Sequence, residues 1–250
     1  MALITLITDF GTADGYVGAM KGVIHRLAPG TTVVDVAHDV PRHDVAHAAW
    51  VVATAAREFP VGTIHVVVVD PGVGGARAEV VVAADGHRYV GPDNGVFAHV
   101  TRTGLDGSWA ITSTAFRLPD AAPTFHGRDV FAPAAAALAR DLPPRLAGPA
   151  TCLAGALPWP PPADGRGHVI HVDVFGNLIT DLVAPAAATG AVRIHGRTVT
   201  IHRTFADVER GALVAYPGSS GTLEVAIREG DAATALGVRR GDEAAWEPSR

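Results

Sequence analysis

Residues 63–77 read TIHVVVVDPGVGGAR. Thr63 to Val69 is a nearly unbroken β-branched run without polar alternation, the pattern of a strand buried on both faces of a parallel α/β sheet. Asp70 ends the run, and Pro71-Gly72-Val73-Gly74-Gly75 follows. Pro71 cannot donate to a strand ladder, and the glycines permit positive φ and close backbone approach. An acidic side chain is therefore expected at the carboxyl end of a central strand, before a loop able to wrap a small ligand, at the edge where open α/β sheets bind ligands. Arg77 follows closely enough for the loop to fold it back toward Asp70. A tight turn capped by Asp70 is the plainer reading of the same residues.

The flanking sequence fits such a sheet. Leu3 to Thr8 reads as a strand ending at Asp9, and Gly15 to Ala28 as a helix that Asp14 is placed to cap and Pro29-Gly30 to stop. Thr32 to Val36 reads as a second strand ending near His38-Asp39. Asp44 to Glu58 reads as a helix with Asp44 as N-cap and Val45, Ala48, Ala49, Val52 and Ala56 at helical spacing. The β-α-β-α-β order argues a parallel, helix-covered sheet, and parallel strands would collect Asp9, His38-Asp39 and Asp70 on one edge. A hairpin is expected over 80–90 about Asp85-Gly86, a Gly/Pro-rich loop at 91–95, one strand near Trp109–Thr112, and an Ala-rich helix from Val130 to Arg140 with Pro133 in its first turn.

The composition then changes. Residues 143–165 carry the Pro160-Pro161-Pro162 run and four further prolines, a linker or surface crossing. Short β-like pieces follow over 167–174, 178–182, 192–194, 199–201, 213–216 and 222–227, separated by turn signals. The expected fold is an α/β amino-terminal domain (1–145) with a parallel sheet, a Pro-rich linker (146–166) and a small all-β, barrel-like carboxyl-terminal domain (167–250).

Composition limits the function. The chain has 250 residues, 48% hydrophobic, with a formal net charge of −5. It has no basic run that would mark a nucleic-acid partner, and no apolar stretch long enough for a membrane span. The single cysteine, Cys152, excludes an intramolecular disulfide and a Cys-rich zinc site. The first residues lack a basic n-region, so no signal peptide is expected and the location is read as cytoplasmic.

Seven motifs stand in order along the chain: ITDFGTADGYVGAMKGVI (7–24), HDVPRHDV (38–45), FPVGTIHVVVVDPGVGGAR (59–77), GPDNG (91–95), FHGRDVFAP (125–133), DVFGNLIT (173–180) and SSGTLEVA (219–226). Together they resemble the S-adenosyl-L-methionine (SAM) hydroxide adenosyltransferases, adenosine-forming SAM hydrolases related to the SAM-dependent fluorinase and chlorinase. The resemblance implies attack of water or hydroxide on the ribose C5′ of SAM, giving adenosine and L-methionine. SAM is then the substrate, and neither cofactor nor metal is implied. It also implies a homotrimer with each site shared between the first domain of one subunit and the second domain of another. The family's catalytic Asp–Arg–His set falls on Asp70, Arg77 and His126, and its ribose-gripping aspartate on Asp9. Its residues for the methionine and adenine ends fall on Asp173, Asn177, Ser219 and Ser220, with Phe205 against the base. His43, His126-Gly127 and Asp70 stand where the halogenases carry a tryptophan, a Tyr-Ser pair and a tyrosine, which favours water over halide.

Other readings use the same residues. Asp9, His38, Asp39, Asp70 and His126 are hard or borderline metal ligands, which suits a metal-dependent hydrolase, although none has the spacing of a standard metal motif. A SAM-dependent halogenase, or a non-catalytic adenosine or SAM sensor on the same scaffold, are the remaining alternatives; mere binding would not need the Asp70–Arg77–His126 set.

Overall fold

The computed structural model describes residues 2–249; Met1 and Arg250, the outermost residues of the two expected domains, lie outside them. The chain divides into two compact units, Met1–Leu157 and Pro158–Arg250.

The first unit is built on six strands: β1 (Leu3–Thr8), β2 (Thr32–Ala37), β3 (Ile64–Val68), β4 (Glu79–Ala84), β5 (His87–Pro92) and β6 (Gly107–Ala110). Their spatial order is β2-β1-β3-β5-β4-β6. The pairs β2–β1, β1–β3 and β3–β5 are parallel, while β4 runs antiparallel to both β5 and β6. The sheet is thus parallel where the first strands lie and mixed beyond them, because the tight Asp85-Gly86 turn reverses the chain between β4 and β5.

The uninterrupted apolar run of β3 follows from helices on both faces. On one side Ile4, Leu6, Val66 and Val68 pack with Met20 and Ile24 of α1 (Tyr16–Leu27) and with Ala134, Ala135 and Leu138 of α3 (Ala132–Ala139). On the other, Ile7, Val67 and Val69 pack with Ala48, Val52 and Ala56 of α2 (Val45–Ala56). Successive strand residues alternate between the two layers, so every position from Ile64 to Val69 is buried. Asp44 caps α2 as expected, its Oδ1 accepting from His47 N at 2.9 Å. Asp14 does not cap α1: Gly15 occupies the N-cap and no side chain bonds the first turn. The helix expected from Val130 begins earlier, as a π-helical turn over Gly127–Phe131 that runs into α3. Part of the Pro-rich stretch is fastened to this unit, since Asp93 accepts from the backbone N–H groups of Ala154 and Gly155 at 2.8 and 2.9 Å.

The second unit is a seven-stranded sheet of β7 (Arg166–Val172), β8 (Leu178–Val183), β9 (Ala191–Ile194), β10 (Arg197–Thr200), β11 (Leu213–Pro217), β12 (Thr222–Ile227) and β13 (Glu243–Glu247), ordered β10-β9-β13-β7-β8-β12-β11. Its named pairings are antiparallel. The edge strands approach each other, with an Ile201–Ala215 bridge and His202 N donating to Ala215 O at 2.8 Å, so the sheet curls into a nearly closed barrel around Val169, Leu178, Val192, Ile194, Leu223 and Val225. A strand, β13, and a short helix, α4 (Ala232–Leu236), were not anticipated from the sequence. The Glu243–Glu247 segment has one buried residue among five, Ala244, so its apolar alternation is weak.

Two histidines, one buried and one partly buried, make the first unit sensitive to acid. His65 is fully buried on β3 with Nδ1 2.8 Å from Thr5 Oγ1, and burial reinforced by His87 pushes its pKa down to about 3. Burial, then Arg102, pushes His99 down to about 4. In the unfolded chain both titrate near 6.5, so below that pH the unfolded state binds more protons. The stabilisation is complete above pH ~6.5 and is lost as pH falls toward the folded-state values. Urea unfolding at about pH 5 is expected to show a stability lower than at about pH 7.5 by on the order of 2 kcal/mol per histidine; an unchanged unfolding free energy would contradict this.

Candidate active site

Beyond the carboxyl ends of β1 and β3 lies a cleft of about 320 Å³ bordered by Asp9, Asp70 and His126. The parallel pairing of β1 with β3 brings Thr8 level with Val68, which puts the two aspartates that follow these strands side by side. Phe10, Tyr16 and Phe125 form one wall, packed edge to face with ring centroids 5.2–6.0 Å apart. Such a wall suits a flat, apolar ligand face.

Arg77 lies behind the cleft floor and ties the acidic group together. Its Nε donates to Asp70 Oδ1 at 2.9 Å and its Nη2 to Asp70 Oδ2 at 2.5 Å, a bidentate pair. Nη2 also lies 2.7 Å from His126 Nδ1. Both members of the ion pair are nearly buried, with side chains 9% and 5% exposed. Burial alone would lower the arginine pKa; Asp70, and then Glu79, more than offset it and hold the guanidinium charged. Burial, and then the Arg77 charge, holds His126 below the ordinary imidazole range, with Glu79 and Asp70 pulling the other way. His126 is therefore chiefly neutral at pH ~7.

The Pro-Gly loop sets this geometry. Gly74 has φ +75°, and a Cβ there would sit 2.6 Å from the Pro123 carbonyl oxygen. Asn94 closes the loop's base, donating from Nδ2 to Val69 O at 2.9 Å. Among the described residues Asp9 is held at one oxygen: Oδ2 accepts from His43 N at 2.9 Å. His43 adopts φ +65°, an uncommon conformation for a residue with a side chain, and this turn brings His43 and Arg42 to the cleft.

The edge was expected to gather His38-Asp39 as well. It does not. His38 is buried away from the cleft, with Nδ1 2.9 Å from Thr8 Oγ1 and Nε2 2.9 Å from Asp35 Oδ1, and Asp39 is exposed and does not border the cleft. Among the described residues, no group of three or more His, Cys, Asp or Glu side chains is arranged to hold a metal ion, so the metal-hydrolase reading lacks a ligand cluster.

The second unit brings its own expected residues together in part. Asp173 Oδ1 accepts from the N–H groups of Phe175 and Asn177, both at 2.9 Å, and Oδ2 accepts from Asn177 Nδ2 at 2.8 Å. The pair thus closes the turn that carries Val174 and Phe175, which are 94% and 73% exposed. Phe205 packs against Tyr216 with centroids 4.5 Å apart. Ser219 and Ser220 form the tip of the β11–β12 hairpin, Ser219 exposed.

Three functional candidates escaped the sequence reading. Glu79, first residue of β4, places Oε1 3.0 Å from both Arg77 Nη1 and His126 Nδ1; its signal was a charged residue opening an otherwise apolar strand. Arg42 was hidden in a loop. Glu224 lies on the face of β12 opposite the barrel core, beside Tyr216 of β11, accepts from Tyr216 Oη at 2.7 Å, and has its pKa raised by burial and by the nearby Asp173. Its signal was a carboxylate inside the apolar Thr222–Ile227 strand, and its room depends on Gly218, where any Cβ would overlap it.

Residues 4–148 match the family model for the SAM hydroxide adenosyltransferase N-terminal domain, and residues 167–245 match that for its C-terminal domain. The (R)-S-adenosyl-L-methionine hydrolase of Thermus thermophilus is 42% identical over 96% of this chain and 98% of its own. A fluorinase of an Actinoplanes species is 28% identical over 72% of this chain and 71% of its own. A crystal structure of a conserved hypothetical protein from Thermus thermophilus superposes with a TM-score of 0.86 at 39% identity, covering 99% of this chain and 100% of that one.

Gly74→Ala is expected to cost about 1–3 kcal/mol through its left-handed backbone and the Pro123 contact. Thermal unfolding checks this; an unchanged melting temperature would show that the loop does not need glycine there.

Proposed function

The chain belongs to the SAM hydroxide adenosyltransferase family, and from that premise we propose that it hydrolyses SAM to adenosine and L-methionine by attack of water on the ribose C5′. The observation that carries the reading is the buried Asp70–Arg77–His126 assembly beside a cleft with an aromatic wall. Its chemistry suits this reaction. The sulfonium makes C5′ electrophilic, and methionine leaves as a neutral thioether, so expelling it needs no acid. What remains is to hold water in line with C5′ and to take its proton. Positioning alone contributes up to roughly 7–11 kcal/mol in favourable cases.

Arg77 stays protonated and cannot serve as base. It stabilises negative charge developing on the attacking oxygen, while Asp70 fixes the guanidinium plane by two parallel hydrogen bonds. His126, neutral and at the cleft, is the group suited to accept the proton. Asp9 keeps Oδ1 without a protein partner among the described residues and is assigned to the ribose hydroxyls. In the second unit Asp173 supplies a counter-charge for the methionine ammonium, Asn177, Ser219 and Ser220 complete the polar contacts, and Phe205 packs on the adenine. The assembly is proposed to be a homotrimer whose sites are shared between subunits, and the exposed Val174 and Phe175 supply apolar surface of the kind an interface would cover.

Purified protein incubated with SAM in chelator-treated buffer, with and without halide, is expected to give adenosine and methionine and no 5′-halo-5′-deoxyadenosine by liquid chromatography and mass spectrometry. A halogenated product, or turnover that needs added metal, would overturn the reading. Arg77→Lys, which keeps the charge but loses the bidentate fork, is expected to lower kcat by about 100-fold or more; wild-type turnover in this variant would remove Arg77 from the mechanism.

A further inference from the structure

The Asp–Arg–His set leaves one feature of the site unused. His126 Nδ1 faces two partners at once, Arg77 Nη2 at 2.7 Å and Glu79 Oε1 at 3.0 Å. Arg77 only donates and a carboxylate only accepts, so a neutral imidazole can satisfy one of them and not both. If Nδ1 accepts from Arg77, the ring proton sits on Nε2 and that nitrogen has no lone pair for water. If Nδ1 donates to Glu79, Nε2 is unprotonated and can act as base. Nε2 has no protein partner among the described residues, and His126 borders the cleft.

We infer that Glu79 is the positioning residue for His126: it accepts the Nδ1 proton, selects the tautomer whose Nε2 lone pair takes the proton from attacking water, and stabilises the imidazolium that forms. The identity of that proton's source rests on the hydrolase reading above. In the step, the water oxygen bonds to C5′, the C5′–S bond breaks with its electron pair passing to sulfur, and one water proton moves to Nε2. The other proton remains as the 5′-hydroxyl of adenosine. Glu79 accepts the Nδ1 hydrogen bond throughout.

Its placement supports this role. Glu79 heads β4, its carbonyl accepts from Ile111 N, just beyond β6, at 2.8 Å, and it pairs with Pro92 of β5, so its backbone is held from both sides. Its side chain is 19% exposed, which leaves its charge poorly screened. Nη1 of Arg77 lies 3.0 Å from the same Oε1, an ion-pair contact that leaves this oxygen between the guanidinium and the imidazole. The charges bearing on His126 are Arg77 and Arg117, which disfavour its protonation, and Glu79 and Asp70, which favour it; Asp129, paired with Arg128, is also close enough to sense the ring. Phe131 packs edge-on to it. Glu79 is the carboxylate that touches Nδ1.

The test uses the full chain with Glu79→Ala and Glu79→Gln, their folding checked by thermal unfolding. Glu79→Ala is expected to lower kcat about 100-fold with KM for SAM nearly unchanged. The acid limb of its kcat–pH profile moves to lower pH, because removing a negative charge makes His126 easier to deprotonate. Glu79→Gln keeps an acceptor oxygen and is expected to recover part of kcat while keeping the shifted limb. If both variants keep wild-type kcat and an unshifted limb, the inference is wrong. Nitrogen-15 NMR of the His126 ring gives a second readout that needs no turnover: the wild type is expected to carry its proton on Nδ1 at about pH 7.5, and Glu79→Ala on Nε2. A wild-type ring protonated on Nε2 overturns the inference whatever the activity. A wild type that consumes no SAM while showing the Nδ1 tautomer overturns the hydrolase reading and leaves the Glu79 assignment standing.

Discussion

The site depends on one buried ion pair. Arg77 reaches back across a glycine loop to grip both oxygens of Asp70, and both groups are almost wholly out of water. A guanidinium in that position is tolerable only because carboxylates meet it. Removing one partner of such a pair commonly costs about 3–5 kcal/mol, since the other charge is left uncompensated. The pair also fixes a direction. With Nε and Nη2 committed to Asp70, Nη2 and Nη1 are aimed at His126 and Glu79. The loop's positive-φ glycine and its close approach to Pro123 follow from the path needed to bring Arg77 to that place.

The fold makes this placement rigid. Asp9 and Asp70 follow adjacent parallel strands, and both strands are clamped between helical layers, so the sheet fixes where the chain carrying each aspartate emerges. The mixed edge of the sheet contributes too. Because β4 turns back antiparallel on β5, Glu79 starts its strand beside the end of β5 and close to the loop after β3. An all-parallel sheet would have put the start of that strand at the opposite edge.

Much of this was legible in the sequence, and for identifiable reasons. Val66 to Val69 announced a strand buried on both sides because nothing polar interrupts it. Asp44 announced a cap because it precedes an apolar helical period. Asp70 and Arg77 could be paired because the intervening glycines allow the chain to fold back. Other features were not legible. Whether His38 faces the cleft or the interior depends on Asp35 and Thr8, contacts between neighbouring strands that no local pattern encodes. Asp14 has the chemistry of a cap, but Gly15 takes the N-cap position and the helix begins at Tyr16. Glu79 fell just outside the hairpin expected over 80–90, and its meaning comes from the reversal of β4. Glu224 was concealed in a barrel strand, and only the missing side chain at Gly218 makes room for it.

Water held by the Asp70–Arg77–His126 assembly is proposed to attack carbon and not sulfur or another centre. The most direct measurement is turnover of SAM in oxygen-18 water, with the products resolved by mass spectrometry. One heavy oxygen is expected in adenosine, retained in the 5′-hydroxymethyl fragment, and none in methionine. Unlabelled adenosine, or label carried by the methionine product, would contradict it.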